Sequence, residues 1–191
     1  MIYHFLRLLS FVLVRPFYRI KYNGKANVPK GAFVLASNHI SYFDPICLGM
    51  GFRRKIWFMA KSELFTNHGA FAGTFLRLCG VFPVVRSSAD KGAVDKASEL
   101  LHKGKIVGVF PQGGIRRDGQ PFEPKAGAAL LAAKNCVPLL PVLIKAEGKI
   151  RPFSKISVTI GEAVFPTDDS LKGARELNRR FKAQINKMSE E

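Results

Sequence analysis

Cysteine is scarce in this 191-residue chain, which carries only Cys47, Cys79 and Cys136, far apart and with no C-x-x-C pair. That spacing supplies neither a disulfide framework nor a thiolate metal site, and the three read as reduced core thiols in a cytosolic compartment. Acidic residues are also few: 14 Asp and Glu stand against 30 Lys and Arg, for a formal charge of +16. So unbalanced a surface attracts phospholipid headgroups, phosphorylated ligands or nucleic acid, and charge alone does not choose among them. No internal repeat, low-complexity tract or Ser/Gly linker is present, so a second domain is not expected. Long apolar runs are missing as well. Residues 1–14 are mostly apolar but include His4, Arg7 and Ser10, with Arg15 following, whereas a spanning helix needs about 20 nearly uncharged residues.

The apolar fraction, 47% of residues, suits one domain with a real core. On a helical wheel His4, Arg7 and Arg15 gather on one side with Phe11, opposite Ile2, Phe5, Leu6, Leu9, Val12 and Leu13. This is the pattern of a helix lying in a membrane interface, and equally of an amphipathic helix packed on its own domain. No small-residue cleavage site follows Val14, which argues against a signal peptide. Residues 1–20 are therefore assigned to an amphipathic interface helix and 21–191 to the main domain. Short apolar runs predict strands at 17–22, 32–36, 56–60, 82–85, 106–110, 139–144 and 156–160. Helical patterns fall at about 45–51, 69–79, 89–102, 126–135 and 171–188. Alternation of this kind predicts a single α/β domain, a largely parallel mixed sheet flanked by helices, with its functional residues at the carboxyl ends of the strands.

The stretch Ser37-Asn38-His39-Ile40-Ser41-Tyr42-Phe43-Asp44-Pro45 follows one such strand. Five positions apart, His39 and Asp44 would stand roughly 140° apart around one helix, so they are not expected to share one. Asp44-Pro45 reads as a helix start with Asp44 as N-cap, leaving His39 in the loop before it. A carboxylate there can hold one imidazole nitrogen and leave the other basic toward a hydroxyl. The plain alternative is a satisfied histidine at a strand end beside a capping aspartate.

Asn38-His39 and Asp44 resemble the N-H-x-x-x-x-D signature of the glycerolipid acyltransferases, the family that includes lysophosphatidic acid acyltransferase. Three more blocks follow in the family's order: Lys61-Ser62-Glu63-Leu64-Phe65 with Gly80 to Arg86, then Phe110-Pro111-Gln112-Gly113-Gly114, then Val137-Pro138-Leu139-Leu140-Pro141-Val142. Together they span residues 32–143. One departure stands out, since members usually carry Phe-Pro-Glu-Gly-Thr-Arg where this chain has Gln112-Gly113-Gly114-Ile115, with Arg116 and Arg117 arriving late.

The resemblance implies acyl transfer from a thioester, on acyl-CoA or acyl carrier protein, to the hydroxyl of 1-acyl-glycerol-3-phosphate in phospholipid biosynthesis. Another lysophospholipid, glycerol-3-phosphate or a hydroxylated lipid is an alternative acceptor, and a non-catalytic basic membrane-binding module the rival class. It further implies His39 as base and Asp44 as its orienting carboxylate, with no cofactor, no metal and no acyl-enzyme. Arg86 and Lys61 are candidates for the acceptor phosphate. Asn38, Gln112, Gly113, Gly114 and Arg116 complete the expected substrate-binding set, Gln112 by hydrogen-bonding an acceptor hydroxyl and the glycines by a tight turn. The fourth block reads either as the wall of an acyl-chain groove or as a buried strand, its prolines favouring the rim of the sheet. Arg53-Arg54-Lys55 reads as a membrane-facing or solvated patch. Membrane lipids and the thioester carrier are the expected partners, nucleic acid is not, and the expected location is the cytoplasmic face of a membrane, bound peripherally or monotopically.

Overall fold

In a computed structural model the described residues are 2–66, 69–85, 90–116 and 122–190. Arg86 and Arg117 lie outside them. The elements run α1 (Ile2–Val14), β1 (Arg19–Asn23), β2 (Phe33–Ser37), α2 (Asp44–Gly51), β3 (Ile56–Lys61), α3 (Glu63–Thr66), α4 (Gly69–Leu78), β4 (Val81–Val84), α5 (Lys91–His102), β5 (Ile106–Val109), α6 (Gly127–Lys134), β6 (Leu139–Ala146), β7 (Lys155–Ile160) and α7 (Leu171–Glu190). The strands form one seven-stranded sheet in the order β1-β7-β6-β2-β5-β3-β4. Every neighbouring pair is parallel except β6 and β7. This is the largely parallel α/β sheet that the sequence predicts. α1 closes at Val14 and β1 opens at Arg19, inside the stretch assigned to the helix from sequence.

β2 is the central strand, and its residues Phe33, Val34, Leu35 and Ala36 are wholly buried, which requires an apolar side chain at every position rather than at alternate ones. Phe33 and Leu35 face one core with Cys47 and Leu48 of α2. Val34 and Ala36 face the other, with α5, α6 and α7. The chain leaving β2 thus turns to α2 on one face, while the chain leaving the adjacent β5 turns to α6 on the other. Two neighbouring strands whose connections diverge open a crevice at their carboxyl ends, where α/β sheets place ligands.

Of the two readings of the fourth block the buried strand holds, and the rim expected from its prolines is corrected. β6 lies in the interior of the sheet, and Leu139, Leu140 and Val142 are fully buried, so the block is core and no wall of an acyl groove. Pro141 is tolerated there because its carbonyl accepts from Gly161 N at 2.9 Å. Its ring nitrogen faces that same side, where β7 has ended and an isolated Leu139–Val164 bridge takes over, so no ladder donor is missed. The basic triplet is corrected too. Arg54 donates to Lys30 O and Gly31 O at 2.8 and 2.6 Å, tying down a loop, and the Lys55 ammonium sits 4.2 Å from the Trp57 ring centroid. Of the cysteines, Cys47 is core but Cys136 is exposed, against the reading of three core thiols.

α1 packs on α2 with an unexpected polarity. Arg7 turns inward and donates to Met50 O at 3.3 Å. Outward, Phe5, Leu8, Val12 and Leu13 stand 63%, 63%, 62% and 57% exposed. The helix is turned with its apolar stripe away from the domain, the reverse of a helix stabilised on its own core. Among the described residues no helix is long and apolar enough to cross a membrane.

Candidate active site

The loop from β2 to α2 folds around one carboxylate. Asp44 is wholly buried, and its Oδ2 accepts from Ile40 N at 2.7 Å and Ser41 N at 2.9 Å while meeting His39 Nδ1 at 2.8 Å. Asp44 is therefore not the N-cap expected from sequence: Phe43 holds that position without a side-chain cap, and the Asp44 carboxylate reaches back to organise the loop before the helix. An oxygen already accepting two N–H groups leaves His39 Nδ1 to donate, so the imidazole carries its proton there and Nε2 is the basic nitrogen. The His39 side chain is 15% exposed, enough to meet a ligand.

The imidazole plane is fixed from a second direction. His39 stacks on Phe110 at 4.1 Å between centroids and 18° between planes, and Phe110 stacks on Phe58 at 5.7 Å and 7°. Gly108 makes room for this pile, since a Cβ there would stand 2.5 Å from the Phe58 ring. Sequence reasoning missed Phe110 and Phe58; the available signal was Phe110 itself, next to Pro111-Gln112 in the third block.

Gln112 is buried, and its Oε1 accepts from His39 N at 2.9 Å. Its acceptor atom is thus engaged by the loop that carries His39, with its second lone pair and the amide donors left for a ligand. Asn38 is likewise committed, donating to Ile144 O at 2.8 Å and accepting from Ile144 N at 2.7 Å, which splices the loop onto β6. Arg116 N donates to His39 O at 2.8 Å, so the β5 loop grips the histidine backbone on both sides. Gly113 adopts φ 76°, the left-handed turn expected of the glycine pair. Gly114 follows it, and its N–H has no acceptor among the described residues.

His39, Phe110, Gly113 and Gly114 open onto a groove of about 950 Å³ between α1, α2, α4 and the β3–β4 edge. Its walls are mainly apolar, with Ile46, Met50, Phe75 and Val84 among them. Lys61 stands at this groove but pairs with Glu63 at 2.7 Å, both about half exposed. Cys47, near Asp44, is no alternative nucleophile: it is fully buried, and burial followed by the Asp44 charge pushes its thiol up to about 12. Among the described residues no group of three His, Cys, Asp or Glu is placed to hold a metal ion.

A histidine held by a buried carboxylate at the mouth of a lipid-sized apolar groove suits general-base chemistry on an apolar ligand. Comparison with known proteins gives the class. The acyltransferase family model matches residues 19–145. The 1-acyl-sn-glycerol-3-phosphate acyltransferase of Bacillus subtilis is 32% identical over 184 residues, 90% of each chain, and that of Pseudomonas aeruginosa is 28% identical over 176 residues, 87% of this chain and 67% of the other. Among solved structures, the 1-acyl-sn-glycerophosphate acyltransferase PlsC of Thermotoga maritima superposes with a TM-score of 0.68 at 25% identity, covering 97% of this chain and 78% of that one. The chain belongs to the acyltransferase family. The four sequence blocks at 32–143 fall inside the matched span.

Proposed function

We propose that the enzyme transfers a fatty acyl group from a thioester to the free hydroxyl of 1-acyl-glycerol-3-phosphate, forming phosphatidic acid for phospholipid synthesis. The observation that carries this reading is His39 held at Nδ1 by Asp44 at the mouth of the apolar groove, in a chain whose relatives bear that activity in their names. His39 Nε2 takes the hydroxyl proton as the oxygen attacks the thioester carbonyl. The tetrahedral oxyanion faces the Gly114 N–H, then collapses with loss of thiolate, which recovers the proton from His39. Asp44 stabilises the imidazolium between the two proton transfers, and the groove shields the acyl chain from water. The acceptor phosphate is assigned to Arg86, with Lys61 available once it leaves Glu63. The outward apolar stripe of α1 supports peripheral attachment to a lipid surface, which delivers the acceptor to the groove.

The test is thiol release from palmitoyl-CoA or palmitoyl carrier protein on lysophosphatidate in mixed micelles. Acceptor-dependent turnover should fall about 10²- to 10⁴-fold in His39→Ala, the contribution of a positioned base, with liposome binding unchanged. Turnover that survives His39→Ala would refute this mechanism. Unchanged liposome binding without turnover in the parent, on any hydroxylated lipid, would favour the binding module.

A further inference from the structure

A second cavity, of about 1,100 Å³, lies on the other side of the loop that carries His39, and it differs from the apolar groove in the number of cations that line it. Asn38, Ile40 and Gln112 are among its lining residues, so it reaches the loop that carries His39. Five cations line it: Arg19, Lys21, Arg116, Lys145 and Lys155. Four of them come from three neighbouring strands. Arg19 and Lys21 alternate along β1, Arg19 is in register with Lys155 on β7, and Lys21 is in register with Ser157, which in turn is in register with Lys145 on β6. Residues two apart on a strand share a face, so this is one basic face and not a scatter of surface charges.

Like charges side by side on adjacent strands repel, and the structure provides little to offset them. Lys145 donates to Ser189 O at 2.8 Å, near the carboxyl end of α7. Arg19, Lys21, Arg116 and Lys155 have no acidic partner within ion-pair distance among the described residues. Glu147 and Glu190 also line the cavity, and neither forms an ion pair with them. Lysines on an edge strand protect a sheet from pairing with another sheet, but that role asks for no concavity and no cations on the inner strand β6. Several uncompensated cations in a hollow of ligand size ask for a polyanion.

We infer that this cavity binds the phosphate-bearing nucleotide of a coenzyme A thioester, laying the pantetheine arm across the Asn38–Gln112 end toward His39. The inference rests on the acyl-transfer reading for the identity of the donor, and goes beyond it by choosing a donor and giving it a site. Three phosphates on one small molecule match a concave set of cations better than the convex acidic surface of a carrier protein does. The acyl chain then enters the apolar groove on the opposite side of the loop, so the thioester carbonyl must pass the loop at His39, whose neighbours Asn38 and Ile40 line the basic cavity while His39 itself lines the groove.

The experiment uses the double variant Arg19→Gln/Lys155→Gln, and Lys21→Gln as a milder second variant, all at exposed positions. With palmitoyl-CoA the double variant should show KM raised about tenfold, as expected for two exposed charge contacts of roughly 0.5–1 kcal/mol each, with kcat within about twofold and KM for lysophosphatidate unmoved. With palmitoyl carrier protein nothing should change. Calorimetric binding of adenosine 3′,5′-bisphosphate, which needs no catalysis, should be present in the parent and weakened in both variants. A raised KM for the carrier protein instead would assign the face to an acidic protein, and a raised KM for lysophosphatidate to a lipid headgroup; either overturns the proposal. So would unchanged kinetics and bisphosphate binding in both variants. A parent that binds the bisphosphate yet shows no acyl transfer would leave the site standing and remove the proposed function, whereas full transfer with unmoved KM would do the reverse.

Discussion

At the scale of single residues, Gln112 explains how the chain departs from its family's usual glutamate. What the loop needs at this position is an acceptor for His39 N–H, and an amide oxygen serves as well as a carboxylate. Gln112→Ala should therefore orphan a partly buried donor at a cost of about 1–3 kcal/mol, lowering the melting temperature and turnover together, while Gln112→Glu should keep the bond and stay within about threefold of the parent in turnover. Thermal melts alongside thiol release decide it, and an alanine variant that melts like the parent would show that the strut carries no weight. The pairing of His39 with Asp44 was legible in the sequence because a five-residue spacing leaves few geometries. The real destinations of Asp44 Oδ2 and Gln112 Oε1 were not, because both are backbone N–H groups, which every residue possesses and no sequence pattern marks. For the same reason Asp44 passed for a cap: the side chain that could have capped α2 turned to donors in the preceding loop.

At the scale of elements, α1 is the piece whose orientation matters most. A helical wheel separates polar from apolar sides, yet it carries no information about which side meets the domain. The structure shows Arg7 inward and Leu8 and Val12 outward. Placing Glu at both Leu8 and Val12 forfeits the insertion of two large apolar side chains, about 1.5–3 kcal/mol each. The variant should lose about 100-fold or more in vesicle partitioning, measured by sedimentation, while its melting temperature holds within a degree or two of the parent's. Equal partitioning would mean that the stripe meets something other than lipid. All seven strands were legible, β2, β5 and β6 as short buried apolar runs and β1 and β7 by alternation. The sense of β7 was not, since the antiparallel return from β6 rests on the short connection at 147–154 and not on any strand pattern.

At the scale of the whole molecule, the charge imbalance sets the response to acid. Hydrogen bonds from Lys61 to Glu63 and from Lys103 to Glu99 hold those carboxyls down at about 2, against an ordinary value of 4.5. Asp90, Asp168 and Glu176 are lowered as well, by hydrogen bonds from backbone or side-chain donors. The unfolded chain takes up protons at the ordinary values, so between 4.5 and about 2 it binds more protons than the native state, and stability rises with pH across that window. The contribution is complete above about pH 5 and is lost as pH falls toward 2. These groups are exposed, so each effect is small, but they act in the same direction and every carboxylate neutralised adds to a chain already at +16. Melting temperatures followed by circular dichroism should be level near neutrality and slide steadily below pH 4.5; a profile flat to pH 2 would contradict this account. The fold class, and the place of the His39 loop at the carboxyl end of a strand, could be read from the alternation of strands and helices, whereas the central position of that strand could not. The two cavities could not, because they arise where β1, β6 and β7 or α1, α2 and α4 come together across the chain. The outward stripe of α1 bears finally on how the enzyme meets its acceptor. On the proposed peripheral attachment, α1 would seat in one leaflet beside the groove that holds His39 and make encounter a two-dimensional event, so the working variable would be the area fraction of lysolipid around the protein and not its amount per volume. Adding inert lipid would then slow the reaction by dilution within the surface, even at constant bulk concentration of every reactant.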